Sequence, residues 1–374
     1  RAHAPAAGAR GDQGPGDVPA QAARTVRAEG DGELAQPVDS LAAARAAYTD
    51  TLRRAARTDA ADASAAEAAA DLQRAAFADG QLRALADLHR FQLATAAAIG
   101  GRDPRCYRPV VWLHYRAASC LDRPEDQILR TPALELVAEM ASAMYRRGGP
   151  PENRRFATDA MLCAAYTVLE EGNRPRASDL FDRLIRLDRT LPEALLGVGA
   201  IDERYGRFDA AVKQLRQLVE VDPAHGEGRL RLAVNLVRLD RWEEAEGLLR
   251  ELAEDAAQRW IRSLAVQELA RGLVARGDLE GAREVLRRGL LELPGDQRLR
   301  VQSAFVLDRM GRLRAAAELL EGVGGDGPTP GAGARWRYSR WPSFDVAAHE
   351  ARLADLASAA APTLAVALGA EGAS

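Results

Sequence analysis

The middle of the sequence repeats itself at a nearly constant interval. A glycine, or in one case an aspartate, returns after 34, 34, 37 and 34 residues, and an alanine follows each of them five positions later. A fixed period of this size is typical of stacked helical hairpins, because one hairpin exposes an apolar face that only its neighbours cover. The punctuating residues are Gly172, Gly206, Asp240, Gly277 and Gly311. The alanines are Ala177, Ala211, Ala245, Ala282 and Ala316.

Each repeat predicts a helix, a tight turn and a second helix. The punctuating residue is expected where the chain leaves the first helix, with a positive φ angle that glycine adopts at no steric cost. The alanine is expected where the two helices cross, since a larger side chain would hold them apart. The 37-residue step contains three extra residues in AEDAAQRWIRS, which predicts a longer helix or a looser turn before Ser263. We expect the side chain of Trp260 to fill the space that this change opens between the helices. Large side chains two positions after the punctuation are also expected to fill gaps; they are Phe208, Trp242, Leu279 and Leu313.

Over about residues 158–324, five units of this pattern resemble the tetratricopeptide-repeat (TPR) family. The resemblance rests on the repeated spacing and on first-helix triplets such as Leu195, Val198 and Gly199. It implies an all-α fold, a right-handed solenoid of antiparallel helix pairs. It also implies a non-enzymatic scaffold that binds a protein, as a peptide or a partner helix, in the concave groove formed by the first helices.

The family's groove positions, carried over residue by residue, give the candidate binding site. Acidic residues collect in the first units and arginines in the last, a gradient that would orient a partner through arginine–carboxylate contacts. A solvated charged surface with ordinary ion pairs is the alternative. The candidate residues are Tyr166, Glu170, Glu193, Glu203, Arg204, Glu227, Arg238, Gln267, Arg271, Arg298, Phe305 and Arg309. Further groove positions fall on Asp159, Leu162, Leu196, Ala200, Leu230, Val234, Val274 and Val301.

The segments outside the repeats receive separate predictions. Residues 1–40, rich in Ala, Gly and Pro, are expected to be a disordered tail, and residues 41–157 to be a helical region, with divergent repeats as one origin. Residues 325–342 are expected to be a Gly/Pro linker with an aromatic–basic segment, RWRYSRW. Folding back on the last repeat is the favoured role of this segment, with contact to a partner protein or to nucleic acid as the alternatives. Residues 343–374 are expected to be a capping helix and tail.

Two local signals place helix boundaries in the region before the repeats. Gly100 and Gly101 are expected to end a helix. Thr131 is expected to be an N-cap, with Pro132 at the first helical position.

Composition argues against several kinds of chemistry. The net charge is -3, so no basic excess favours nucleic acid or anionic lipid, and no apolar run approaches the ~20 residues of a membrane span. Lys213 is the one lysine, which excludes a phosphate-binding loop ending in Gly-Lys-Ser/Thr. No nucleophile elbow or complete zinc-protease motif is present, and GVGGDG lacks the strand–turn–helix context of a dinucleotide site. No cofactor or metal is therefore predicted.

Two alternatives stay open at this point. Cys106, His114 and Cys120 suggest a ligand- or metal-sensing region within residues 100–157, although buried free thiols are the favoured interpretation of the cysteines. A scaffold for cell-envelope assembly or secretion is the other alternative. The chain begins at Arg1, and both a cytoplasmic and an exported location are compatible with the sequence.

Overall fold

The computed structural model describes residues 40–57, 63–321, 323 and 342–369, and within these ranges the regular secondary structure is helical. Ten helices belong to the predicted repeats, in five consecutive pairs: α5 Pro151–Glu170, α6 Arg174–Leu187, α7 Pro192–Arg204, α8 Phe208–Val221, α9 Gly226–Arg238, α10 Trp242–Asp255, α11 Arg259–Ala275, α12 Leu279–Glu292, α13 Gln297–Arg309 and α14 Leu313–Leu320. Before them lie α1 Ser40–Arg57, α2 Ala63–Arg102, α3 Tyr107–Cys120 and α4 Gln127–Arg147. After them lie α15 Val346–Ser358 and α16 Ala361–Ala367.

The repeat turns lie where the period predicts them. Gly172, Gly206, Gly277 and Gly311 have φ angles of 88, 72, 84 and 75°, and Asp240 takes the same left-handed conformation at 57°. Each of the five separates the two helices of one pair. The five crossing alanines are at most 7% exposed, so their predicted place between helices is confirmed as well.

The pairs stack in sequence, and their first helices form a continuous layer. Each first helix contacts its own second helix and also the first helix of the next pair, along the series α5, α7, α9, α11, α13. Because the first helices approach one another, they line the inner side of the stack. Preceding this series, α3 contacts α5 and α4 contacts α6, which extends the same layering toward the N-terminus.

The 37-residue step lengthens a helix. The first helices α7, α9 and α13 have 13 residues each, whereas α11 has 17. The preceding α10 keeps the 14 residues of α8 and α12. Trp260 lies in the added turn and packs, partly buried, against the core of the later units. The first of the two predicted outcomes is therefore confirmed.

Of the two predicted boundaries before the repeats, the first is shifted by one residue and the second is wrong. Helix α2 ends at Arg102, directly after Gly101, and a Cβ atom at Gly100 would meet the Tyr107 ring at 1.9 Å. Helix α4 starts at Gln127, so Pro132 lies inside it. Proline there removes one backbone donor to the carbonyl of Ile128. Since Ile128 is 52% exposed, water can satisfy that carbonyl.

A half-buried arginine, Arg74, joins α2 to the loop after α3. The Arg74 guanidinium donates to both carboxylate oxygens of Asp126, at 3.2 and 2.9 Å, and to the Cys120 carbonyl at 2.7 Å. Glu67 and Asp71 complete the shell at 2.8 and 2.7 Å. These carboxylates raise the pKa of Arg74, and Asp126, with a side chain 4% exposed, is fully paired. The charge-assisted bonds fix the N-terminal helices against one another.

The C-terminal helices do not cap the last repeat, contrary to the prediction for residues 343–374. Helix α15 packs mainly on α5 and α3, and α16 packs on α1 and on the turn that precedes α3. Leu353, Ala357 and Leu364 are buried in the N-terminal core. On α14 of the last unit, Leu313 is 64% and Leu320 44% exposed, so Leu313 does not fill a gap as expected. The RWRYSRW segment lies outside the described residues, as do residues 1–39.

Candidate partner-binding groove

The layer of first helices divides into two parts that differ in how much of their surface is covered. We call the groove face of α5, α7 and α9 the occupied half, because residues 342–358 lie against it. We call the groove face of α11 and α13 the open half. The twelve candidate residues fall on both halves and differ in burial: Tyr166, Glu203 and Glu227 are at most 8% exposed, whereas Phe305 is 52% exposed.

An aromatic stack anchors the occupied half. The ring of Phe344 lies 4.1 Å from the ring of Tyr166 with an interplanar angle of 7°. The opposite contact of Tyr166 is edge-on to Phe181, and its hydroxyl donates to the Glu193 carbonyl at 2.8 Å. Burial raises the pKa of Tyr166 well above its usual value. Tyr166, predicted to contact a partner, therefore already has an aromatic residue of its own chain on its face.

An ion pair holds α15 on α5. Arg352 donates from Nη2 and Nε to the two carboxylate oxygens of Asp159, at 3.0 and 3.1 Å. His349 Nε2 lies 3.6 Å from the same carboxylate, and its ring packs 4.3 Å from that of Phe344. Asp159 is 5% exposed, and its hydrogen bonds raise the pKa of Arg352. A bidentate pair of this kind fixes the orientation of the helix as well as its position.

A third contact joins α15 to α3. The Tyr115 hydroxyl donates to Glu350 Oε1 at 2.7 Å. Burial is the main cause that raises the pKa of Tyr115, so the hydroxyl keeps its proton and acts as a donor. Phe344, Glu350 and Arg352 thus each meet a different helix or side chain of the groove.

A buried ionic chain continues the occupied half across α7 and α9. Arg231 Nη1 lies 3.1 Å from Glu203 and its Nε 2.9 Å from Glu227, with all three side chains at most 7% exposed. Asn235 also donates to Glu203, at 3.3 Å. The backbone N–H of Ser343 donates to Glu227 Oε2 at 2.9 Å. The two candidate carboxylates are satisfied within the chain, as buried charges must be.

The open half presents a different surface. Val301 and Phe305 on α13 are 47% and 52% exposed, and one helical turn separates them on the groove face. The Arg309 guanidinium lies 5.9 Å from the centre of the Phe305 ring. On α11, Arg271 is 63% exposed and pairs with Glu268 at 2.7 Å. An exposed aromatic residue beside guanidinium groups is suited to an apolar side chain that carries carboxylates nearby.

The other candidate residues lie near helix ends or beneath the surface of the groove. Glu170, Arg204 and Arg238 are exposed near the ends of their helices, and the Arg238 guanidinium lies 5.0 Å from the Phe208 ring. Arg298 is half-buried at the start of α13. Gln267 is buried, and its side-chain amide donates to Ser263 at 2.9 Å, so it lies beneath the surface of the open half.

Sequence reasoning missed Phe344, Glu350 and Arg352 as groove contacts. Phe344 was expected only within an amphipathic helix, and it lies just before α15. The one available signal was charge: Arg352 stands in a C-terminal segment while an acidic residue, Asp159, stands at a groove position. A distance of nearly two hundred residues between the partners leaves no periodic trace of such a pairing.

The structure does not assemble the alternative site around Cys106, His114 and Cys120. His114 Nδ1 lies 2.7 Å from the Val110 carbonyl and Nε2 lies 3.2 Å from the Tyr48 hydroxyl, so both ring nitrogens are engaged. The three cysteines are free thiols, and burial raises the pKa of Cys106 to about 11. Within the ranges that the structure describes, no group of three His, Cys, Asp or Glu side chains is placed to hold a metal ion.

The stacked antiparallel pairs, with turns at a 34-residue interval and a groove lined by first helices, define a helical-repeat solenoid. Within that class, the repeat region matches the tetratricopeptide-repeat family. The family described as Tetratricopeptide repeat matches residues 203–268 and 273–335, which overlap the predicted units. Repeats of this family are in general protein-interaction modules without enzymatic activity. Across the described residues, no helix is both long and apolar enough to cross a bilayer.

Several solved structures are similar to the chain. A tetratricopeptide repeat protein from Parabacteroides merdae ATCC 43184 is 17% identical, over 66% of this chain and 93% of its own, with a TM-score of 0.41. Pseudomonas aeruginosa pilF is 16% identical, over 56% of this chain and 90% of its own, with a TM-score of 0.41. YrrB, described as a TPR protein with an unusual peptide-binding site, is 17% identical, over 43% and 82%, with a TM-score of 0.37. A search of curated proteins found no match.

Proposed function

We propose that the chain is a non-enzymatic scaffold that holds a partner protein in the open half of its groove. The observation that carries the proposal is the pair of exposed apolar side chains, Val301 and Phe305, on the groove face of α13. Large apolar residues exposed side by side on a helix are typical of interaction surfaces, and aromatic residues with nearby arginines are frequent centres of binding energy.

Charge defines the chemistry of the partner. The groove positions of α11 and α13 carry Arg271, Arg298 and Arg309, of which Arg271 also pairs with Glu268 at 2.7 Å. The fitting occupant is an acidic peptide or helix with one large apolar residue, which would cover Phe305 while its carboxylates meet the arginines. Glu203 and Asp159 of the first units, which contributed to the charge gradient of the sequence, are paired within the chain and do not contribute to this site.

A displayed library of random peptides, selected on the full chain, tests this proposal with a defined probe. We expect enriched peptides to combine Asp or Glu with a large apolar residue. A labelled peptide of the enriched sequence should bind Phe305→Ser about tenfold to a hundredfold more weakly than wild type, since loss of a central apolar anchor costs about 2 kcal/mol or more. The matched control is Leu291→Ser, because Leu291 is 68% exposed on α12 outside the groove.

The arginines are tested by charge reversal. Arg271→Glu with Arg309→Glu should weaken the same peptide at low salt, while Arg314→Glu, which alters a 94% exposed arginine on α14, should leave the affinity unchanged. Equal affinity of wild type and both groove variants would remove the open half as the binding site.

A further inference from the structure

Residues 342–358 of the chain itself cover the occupied half of the groove. Their contacts show which chemical groups this half of the groove recognises. The segment from Pro342 to Ser358 starts without regular secondary structure and continues as α15. Its recognition elements are an aromatic ring on Tyr166, a carboxylate on the Tyr115 hydroxyl and a guanidinium on the Asp159 carboxylate. Each element meets a polar or aromatic group that the groove supplies from α3 or α5.

The segment lies on the surface of the repeat stack and keeps one side of α15 exposed to solvent. One side of α15 is exposed along its length, at Ala347, Ala348, Ala351 and Asp355, while Leu353 and Ala357 face the groove. Beneath it, α5 also packs against α4, α6 and α7, and its Phe156 and Met161 are fully buried. Helix α5 is therefore supported by three other helices in addition to α15, while Leu353 and Ala357 of the segment share one core cluster with Phe156 and Met161.

We propose that the groove face of α3 and α5 is a second peptide-binding site, distinct from the open half, whose resident ligand is the chain's own segment 342–358. The same site recognises in trans a helical segment of the same chemistry: an aromatic residue followed six and eight positions later by a carboxylate and an arginine. Covalent attachment keeps the resident segment at a high effective concentration, so an external segment binds only where the resident one is weakened. This proposal does not rest on the function of the open half.

The experiment uses the full chain and a labelled synthetic peptide of residues 342–358, with binding followed by fluorescence anisotropy. A release variant, Phe344→Ser with Arg352→Glu, removes two contacts of the resident segment. We expect it to bind the peptide at least tenfold more tightly than wild type. A control peptide that carries the same two substitutions should not bind either protein.

Three results would overturn the proposal. One is a folded release variant, with wild-type helical content and cooperative unfolding, that binds the peptide no better than wild type. Another is a release variant that does not fold, which would make the segment an integral part of the core. The third comes from the milder Arg352→Glu variant, which keeps every apolar contact: a folded protein with unchanged peptide affinity would also contradict the site. Phe305→Ser should change none of these affinities, so failure here and failure of the open half are distinguishable.

Discussion

At the scale of single residues, His114 shows how burial sets chemistry in the N-terminal core. The ring is 1% exposed, and it contacts the Tyr48 hydroxyl and the Val110 carbonyl. Desolvation lowers the pKa of His114 to about 4. His89 is lowered to about 4 as well, by desolvation and then by the charge of His114. Both imidazoles are therefore neutral in the folded protein near pH 7, and His114 serves packing and hydrogen bonding.

These shifts predict acid destabilisation in a definite window. The unfolded chain takes up a proton on His114 below about pH 6.5, whereas the folded chain does so only near pH 4. Stability is thus complete above pH 6.5 and is lost as the pH falls from 6.5 toward 4. From pH 7 to pH 5, urea unfolding of wild type should lose about 2 kcal/mol from this one group. His114→Gln should show a smaller loss over that range, and an equal loss in the two proteins would contradict the assignment.

At the scale of helices, small residues decide how closely neighbours approach. Trp242, which follows the Asp240 turn, is 4% exposed and fills the gap that its position predicted. It does so against Gly272 of α11, where a Cβ atom would lie 1.9 Å from the indole ring. The Arg276 guanidinium covers the ring at 4.3 Å. The contact joins the second helix of one unit to the first helix of the next.

Gly272→Ala should therefore destabilise the array. Helix propensity alone would favour alanine by about 1 kcal/mol, but the clash with a packed indole typically costs more, about 1–3 kcal/mol or above. Gly247→Ala on α10 is the matched control, because nothing lies within 4 Å of its added Cβ atom and propensity alone acts. Denaturant unfolding should show a lower midpoint for the first variant and an unchanged or higher midpoint for the second. The reverse order would show that this contact does not set the helix spacing.

Prediction from sequence succeeded where the signal was local or periodic. The turn at Gly206 needs a positive φ angle, and the helix crossing at Ala211 needs a small side chain. Both requirements recur at the repeat period. Prediction failed where a distant contact decided the outcome. Helix α15 lies on α5, where Arg352 meets Asp159, and the two residues are nearly two hundred positions apart in the sequence. That pairing has no spacing that the sequence repeats.

The same difference between periodic signals and distant contacts explains which groove positions are exposed and which are covered. The groove positions were assigned from the repeat register alone, and the register places Phe305 on an exposed groove face. It also placed Tyr166 and Glu227 there, but residues outside the repeats cover them. Whether a groove position is available depends on what the rest of the chain does.

At the scale of the molecule, the segment 342–358 of the chain fills the occupied half of the chain's own groove. A charge-exchange cycle between α5 and α15 tests that most directly, with Asp159→Arg, Arg352→Asp and the two combined. Unfolding free energies and hydrogen exchange of residues 346–358 would be measured for all four proteins. Each single change should destabilise the chain and speed exchange, and the combination should recover on the order of 1 kcal/mol of coupling and slow exchange again. Additive losses, with α15 exchanging equally fast in the combined variant, would contradict it.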